Sequence, residues 1–310
     1  AACGLTMPKT SSRAITSPAG TADMMETLAP VELSLDRIRE VVEQEGGCIA
    51  WGGGARLSPA DERINRIERA LDLDLPTQLV ASVLSKKVAA GSTDVVIDVP
   101  VGSTAKIRSD DEFDDISSLF RSVAEPIGLD LAIVRTEGAQ PVGRGIGPAL
   151  EARDVVSVLR DAPDAPEDLR DRATLLAGRI LEIGGVAESD DGQRLAESTI
   201  DDGRAWQKFQ RICEAQGGMR EPPTAGHQFE VVAPQDGVVS DIDNRKIAKA
   251  AKLAGAPDDR AAGMEFLAPL GREVSEGESL FVLHADSRGE LEYALEFVER
   301  NPNIVTLEES

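Results

Sequence analysis

The chain has 310 residues, of which 41% are hydrophobic, and this length allows more than one compact unit with a substantial buried core. Its 55 acidic residues outnumber the 33 basic ones, so the net charge of −22 disfavours nucleic acid and anionic membranes as partners. Of the bases, 25 are arginine and eight are lysine, and this acidic, lysine-poor composition resembles that of proteins from salt-loving organisms.

The few cysteines and histidines disfavour several kinds of structural and catalytic site. Cys3, Cys48 and Cys213 are isolated and odd in number, which disfavours a disulfide framework and indicates a reducing cytoplasm. His227 and His284 are too few for a His-rich metal site, and they disfavour a Ser-His-Asp triad. Catalysis would therefore use carboxylates, lysine, arginine and backbone groups, with no cofactor expected. No apolar run of about 20 residues and no signal-peptide pattern occurs, which predicts a soluble protein.

The first predicted feature along the chain is a run of hydroxyl side chains. KTSSRAITSPAGTAD, residues 9–23, holds six hydroxyls, a lysine and an arginine, and a helix is predicted from Thr21 to Leu28. Hydroxyls, backbone N–H groups at a helix start and a guanidinium all donate to anions, which favours phosphate as the ligand. The alternative is a turn and helix cap with solvated Ser and Thr side chains.

The next segments predict a helix over 33–44, a buried strand in GGCIAWGGG and two helices between residues 58 and 91. The break between those two helices falls near 73–76. Pro76 suits the first turn of the second helix, which places Asp74 at or just before its N-terminus.

Strands then alternate with helices, which predicts an α/β unit with a largely parallel sheet. In order these are a strand over 93–102, a helix over 111–128, a strand over 129–136 and the glycine turn GRGIG before another helix. Residues 166–218 are predicted mostly helical, and 221–226 form a linker.

Short strands and turns around a lysine-rich helix predict a separate C-terminal unit. APQDGVV and LGREVSEGESLF resemble half-motifs of barrel-sandwich carrier domains, but Lys246, Lys249 and Lys252 fall on a helix rather than in a hairpin, which favours a packing role. The predicted division is an α/β domain from 1–58 and 92–220, a helical lobe segment over 59–91 and a C-terminal domain over 225–310.

Several motifs together resemble those of the type II nucleoside phosphorylases, and specifically their archaeal AMP phosphorylase branch. They are KTSSRAITSPAGTADMMETLAPV, GGCIAWGGGARLSPADERINRIE, LVASVLSKKVAAGSTDVVIDVPVGSTAKI, PVGRGIGPALEARDV and VVAPQDGVVSDIDNRKIAKAAKLAGAP. The resemblance implies that family's α/β fold: a mixed sheet with surrounding helices, a helical lobe and a C-terminal α/β hammerhead domain. It also implies phosphorolysis of AMP to adenine and ribose 1,5-bisphosphate in nucleotide salvage, with CMP and UMP as further substrates, in a homo-oligomer.

Residue roles follow from the same resemblance. Ser82 and Lys86, four apart on one helix face, would contact the base, and Lys106 would bind the nucleotide just past a strand end. The residues of the nucleotide and phosphate loop would be Ser12, Arg13, Ala14, Ile15, Thr16, Ser17 and Thr21, with Ser11 a weaker addition.

Asp74 matches the branch's proton donor. Adenine leaves poorly as an anion, so a general acid is needed, and the site must raise the pKa of this carboxyl from about 3.9 by desolvation. Its position at a helix start opposes that shift, because the dipole favours the carboxylate. Asp72 is a rival acid, and Arg66 and Arg69 are weaker candidates for contact with the base.

The sequence also departs from the family pattern. The glycine-rich loop with a Lys and a Ser that grips phosphate upstream in the family has no match here, and the chain does not begin with Met. We therefore expect an N-terminally truncated, halophilic member with weak or no phosphorolysis by itself. The alternatives are a pyrimidine (thymidine) phosphorylase, an anthranilate-type phosphoribosyltransferase, which the C-terminal domain disfavours, and a non-catalytic subunit.

Overall fold

The computed structural model describes residues 1–14, 16–54 and 75–308. Its first half contains two pairs of parallel strands. Strand β1 (Met7–Ser11) pairs with β2 (Gly47–Trp51), and β3 (Asp94–Val101) pairs with β4 (Asp130–Glu137). The predicted parallel pairing is thus confirmed, although the described residues form two separate two-stranded sheets rather than one.

Eight helices of the described residues surround these strands. They are α1 (Thr21–Leu28), α2 (Leu35–Glu45), α3 (Pro76–Ala89), α4 (Asp110–Ala124), α5 (Pro148–Leu159), α6 (Glu167–Ile183), α7 (Gly192–Asp201) and α8 (Arg204–Gln216). Local signals fix several ends: Ser34 caps α2, Gly46 ends it in the left-handed conformation, and Pro76 occupies the first turn of α3 as predicted.

Three hydrophobic clusters of the described residues hold this half together, and one of them contains Cys48 and Ala50 of β2. Met25 and Leu28 on α1 pack against Cys213 on α8, so the helix that follows the hydroxyl run is anchored in a core. The alternate residues Val95 and Ile97 of β3 face the helices α3 and α4, as the period of two in a half-buried strand requires. Both strand pairs therefore have one face fixed by packing.

The C-terminal unit is built from antiparallel strands and two helices. Its elements are β6 (His227–Val232), β7 (Gly237–Ile242), α9 (Asn244–Leu253), β8 (Gly263–Phe266), β9 (Glu273–Val274), β10 (Ser279–Ala285), α10 (Arg288–Arg300) and β11 (Val305–Glu308). The lysine-rich segment is helical, as predicted. Among the described residues, no helix is long and apolar enough to span a membrane.

A short strand joins the two halves. The GRGIG segment, predicted as a glycine turn, also contains β5 (Gly145–Ile146), which pairs with β8 in a sheet of order β5–β8–β10–β6. A Cβ on Gly145 would lie 2.3 Å from the carbonyl carbon of Leu150, so only glycine fits here. This pairing ties the α/β half to the C-terminal unit.

Candidate functional site

The hydroxyl loop (residues 12–20) connects the end of β1 to the start of α1, and Thr21 is the first residue of that helix. The loop folds back on itself tightly. A Cβ on Gly20 would lie 2.6 Å from the Ser12 carbonyl oxygen and 2.7 Å from the Arg13 carbonyl carbon. Glycine at this position therefore allows the two ends of the loop to touch.

A buried carboxylate closes the loop. Asp23 is 8% exposed, and its Oδ2 accepts hydrogen bonds from the backbone N–H of Ala14 at 2.7 Å and of Gly20 at 3.0 Å. These two N–H groups are therefore occupied in this arrangement. They shape the loop rather than donate to an anion.

Arg13 is likewise held by acidic side chains. Its guanidinium contacts Asp23 at 3.1 Å, Glu26 at 2.7 Å and Glu32 at 3.1 Å, and lies 4.8 Å from the centre of a Trp51 ring. The hydrogen bonds to Glu26 contribute most to raising the pKa of Arg13. Arg13 thus braces the loop in this structure, and its predicted contact with substrate stays a prediction.

The remaining loop residues are more accessible. Ser12, Thr16 and Ser17 are exposed, and the Ser17 hydroxyl donates to the Ala19 carbonyl at 2.8 Å. Thr16 accepts a hydrogen bond from Lys252 of the C-terminal unit through its carbonyl, at 3.4 Å.

Several predicted site residues lie outside the described residues. Among them are the two assigned by the family resemblance, Ile15 of the loop and the proton donor Asp74. The weaker candidates Arg66, Arg69 and Asp72 lie outside as well.

Ser82 and Lys86 lie together on α3. The Lys86 ammonium donates to the Ser82 hydroxyl at 3.1 Å, so the prediction that the two share a helix face is confirmed. Their predicted contact with the base stays a prediction.

The structure adds two lysines that the sequence analysis did not select. Lys9 on β1 and Lys87 on α3 are half-buried, and they are close enough in space to repel each other electrostatically. Burial first, and then the charges of Lys9 and Lys86, lower the pKa of Lys87 to about 8, and burial also lowers the pKa of Lys9. Lys9, Lys86 and Lys87 are called the lysine cluster below.

Lys9 and Lys87 carry positive charge that no described carboxylate balances. Within the described ranges, neither Lys9 nor Lys87 forms an ion pair with a carboxylate. Lys9 is three residues before Ser12, where the hydroxyl loop begins. Because desolvated cations are stabilised by an anion, this side of the loop suits a phosphate group.

The other side of the hydroxyl loop borders a cavity of about 820 Å³. Three basic residues line it, Arg13, Lys252 and Arg260, together with six acidic residues: Asp23, Glu26, Glu32, Asp258, Asp259 and Glu290. The acidic excess disfavours phosphate there. The charges of the described residues therefore favour an anion beside the lysine cluster over one in this cavity.

Lys106 is exposed in the loop after β3, between the strand end and Ile107, which bridges back to Val101. This is the carboxyl end of a parallel pair, where open α/β sheets bind ligands. The loop packs closely on the one after β4, since a Cβ on Gly102 would lie 2.4 Å from the carbonyl carbon of Gly138. Within the described part of the chain, no cluster of three or more His, Cys, Asp or Glu residues could hold a metal ion.

Family models match most of the chain. Residues 1–206 match the model described as "Glycosyl transferase family, a/b domain", and residues 238–305 match the "Pyrimidine nucleoside phosphorylase C-terminal domain". The boundary between the two matches contains the linker, β6 and the start of β7. The order of the units agrees with an α/β half followed by a C-terminal domain.

Similar proteins carry one recurring description. Proteins named "Putative thymidine phosphorylase" from Parvibaculum lavamentivorans, Tolumonas auensis and Hahella chejuensis are each 59% identical to this chain over 308 residues. Each match covers 99% of this chain and 61% of the relative. The chain therefore spans about three fifths of the length of these relatives.

Proposed function

Since the chain belongs to the type II nucleoside phosphorylase family, we propose that it serves in the phosphate-dependent cleavage of the N-glycosidic bond of a pyrimidine nucleoside. Thymidine is the substrate to test first, because the relatives are named for it and the C-terminal match is to a pyrimidine nucleoside phosphorylase domain. The family that the sequence motifs resembled is thereby confirmed, and its archaeal AMP branch and a halophilic origin remain predictions.

One observation supports phosphate binding most directly: half-buried positive charge beside a loop rich in hydroxyls. Lys9 and Lys87 are desolvated, and among the described residues they lack a carboxylate partner. A phosphate dianion would remove their mutual repulsion and accept hydrogen bonds from exposed groups such as the Ser12 and Thr16 side chains.

The reaction needs little beyond positioning and charge. A phosphate oxygen forms a bond to C1′ of the sugar while the bond from C1′ to the base nitrogen breaks, and the base leaves with the bonding electron pair and takes up a proton. Lys9 and Lys87 would hold the phosphate against C1′. Ser82 and Lys86 would bind the base, and Asp74 would supply the proton if its pKa is raised.

A second candidate is a nucleoside 5′-monophosphate such as AMP, with CMP and UMP as related substrates. Its support is the resemblance of the sequence motifs to the AMP phosphorylase branch, in which Lys106 matches a nucleotide-binding lysine. The names of the relatives favour a nucleoside instead.

Two assays test the proposal, on this chain and on any longer product of the same gene. The first measures base release from thymidine, uridine, AMP and CMP with and without phosphate. The second measures phosphate binding by calorimetric titration. Lys87→Met should weaken phosphate binding about tenfold or more, because a charge-assisted hydrogen bond to a desolvated group is lost. Lys249→Met, an exposed lysine of α9, is the matched control and should leave binding unchanged.

The outcomes separate the candidates. Phosphate-dependent release of thymine with AMP intact supports the pyrimidine reaction, and the reverse supports the nucleotide reaction. Phosphate binding without release from any substrate leaves a non-catalytic subunit. If phosphate does not bind, or if Lys87→Met binds it as the native chain does, the proposal is wrong.

A further inference from the structure

The first turn of α9, in the C-terminal unit, touches the loops that follow both β3 and β4. Asn244, the first residue of this helix, donates two hydrogen bonds. Its backbone N–H donates to the Thr104 hydroxyl at 3.3 Å, and its side-chain amide donates to the Gly138 carbonyl at 3.0 Å. Thr104 lies in the loop after β3, and Gly138 directly follows β4. One residue thus connects the carboxyl ends of two parallel strands.

Local structure fixes Asn244 for this contact. The preceding residue, Asp243, caps α9, because its carboxylate accepts hydrogen bonds from the backbone N–H groups of Arg245 and Lys246 at 3.1 and 3.0 Å. The same helix is anchored in the C-terminal core through Ile247, which is buried. The Asn244 side chain is therefore presented from a rigid support rather than from a flexible loop.

The two loops that it joins are themselves in close contact. Gly138 N–H donates to the Val101 carbonyl at 2.9 Å, and Gly102 N–H donates to the Ile107 carbonyl at 3.0 Å. The second of these bonds closes the six-residue turn, residues 102–107, that carries Lys106. Movement of either loop would displace the other, since their glycines are in van der Waals contact.

The far end of α9 reaches the hydroxyl loop. Lys252 donates from its ammonium to the Thr16 carbonyl at 3.4 Å. Eight residues separate it from Asn244, which corresponds to about 12 Å along a helix. A single helix of the C-terminal unit therefore contacts both loops to which substrate roles are assigned.

We propose that Asn244 is a positioning residue: its backbone N–H and its side-chain amide together hold the loop of Lys106 in register with the loop after β4, and thereby set the affinity for the nucleoside or nucleotide. This inference rests on the proposed function for its consequence in catalysis. It gives the C-terminal unit a role in substrate binding beyond packing.

Two variants and one control test it. Asn244→Ala removes the amide, and Asn244→Asp keeps its shape but replaces the donor by an oxygen that repels the Gly138 carbonyl. Because both variants lose the hydrogen bond to the Gly138 carbonyl, the melting temperature of each is measured beside the exchange rates, so that global destabilisation is distinguished from a local effect. Asn301→Ala is the control, because that amide also donates to a carbonyl of the same unit, at 2.8 Å from the Phe297 oxygen.

The first readout is hydrogen exchange, which needs no activity. Both Asn244 variants should accelerate exchange of the Gly102, Ala105 and Gly138 amides about three- to tenfold, the effect expected for one lost hydrogen bond. The control should not. Unchanged exchange at these amides in both variants would overturn the proposal, whether or not the protein is active.

The second readout is a comparison of KM values. If the loop of Lys106 is no longer held in place, KM for the nucleoside or nucleotide should rise about three- to tenfold, whereas kcat and KM for phosphate should stay within twofold of the native values. A merely destabilised protein would instead lose active enzyme without a selective change in KM. Faster exchange with no selective change in KM would refute the link to affinity, and absence of turnover in the native protein itself would count against the proposed function only.

Discussion

Replacement of Gln216 by Leu should destabilise the first half of the molecule strongly. The Gln216 amide is 3% exposed and completes the free edge of β2: it accepts from the Ile49 N–H at 2.8 Å and donates to the Ile49 carbonyl at 3.0 Å. It also donates to the Pro30 carbonyl at 2.7 Å. In effect the side chain takes the place of a neighbouring strand, and β2 in turn supports β1 and the hydroxyl loop.

The magnitude follows from these three hydrogen bonds. Each contributes about 0.5–1.5 kcal/mol, and the loss leaves one donor and two acceptors of the backbone buried without a partner, so the free energy of unfolding should fall by about 3–4 kcal/mol. With a urea dependence of about 2 kcal/mol per M, the unfolding midpoint should drop by about 1.5–2 M. Leu is of similar size to Gln, so a cavity contributes little.

Tryptophan fluorescence in urea is the assay, because the chain's two tryptophans lie in this half, Trp51 at the end of β2 and Trp206 on α8. Gln207→Leu, an exposed position on the same helix, is the control and should change the free energy by less than about 0.5 kcal/mol. A midpoint shift for Gln216→Leu no larger than that of the control would refute the reasoning.

Three further outcomes are expected. Gly178→Ala should lower the melting temperature and reduce the free energy of unfolding by at least about 2 kcal/mol, because the new Cβ would lie 2.4 Å from the Gln193 backbone nitrogen. Gly289→Ala is the control: its Cβ enters open space in a helix, so this variant should be neutral or stabilising. The pKa of Glu151 is raised to about 7, chiefly by burial, so ionisation of this carboxyl destabilises the fold as the pH rises above its ordinary pKa of 4.5. Glu151→Gln should therefore gain stability relative to the native chain between pH 4.5 and about 7 and keep that gain at pH 8. Urea midpoints of the two proteins that differ by the same amount at pH 4.5 and at pH 8 would contradict this. Phosphate affinity measured by calorimetry should fall as pH rises above about 8, where Lys87 loses its proton, and Lys87→Met should lack that component of the pH profile.

Local structure was largely predictable from the sequence. The helix from Thr21 to Leu28, the proline at the start of α3 and the helical position of the C-terminal lysines were all predicted and are confirmed. These features depend on side-chain period, caps and glycine turns within a few residues of one another. The shared face of Ser82 and Lys86 follows from the same local rule.

The environment of the site was not predictable in this way. Sequence reasoning assigned Arg13 to phosphate by family resemblance, but its partner Glu32 is 19 residues away, and the fold brings three carboxylates to one guanidinium. Lys9 and Lys87 interact electrostatically although they are far apart in the sequence. Neither lysine stands in a pattern that distinguishes it from a solvated surface residue.

The sequence by itself therefore determined the family, most of the described helices and strands and the hydroxyl run, because these are encoded in short motifs and local periodicity. Only the tertiary structure decided that Lys87 lies near Lys9, that Gln216 completes β2 from 167 residues away, and that Asn244 joins two loops. The physical reason is that burial and electrostatic interaction depend on distance in space. Chain separation carries little information about either.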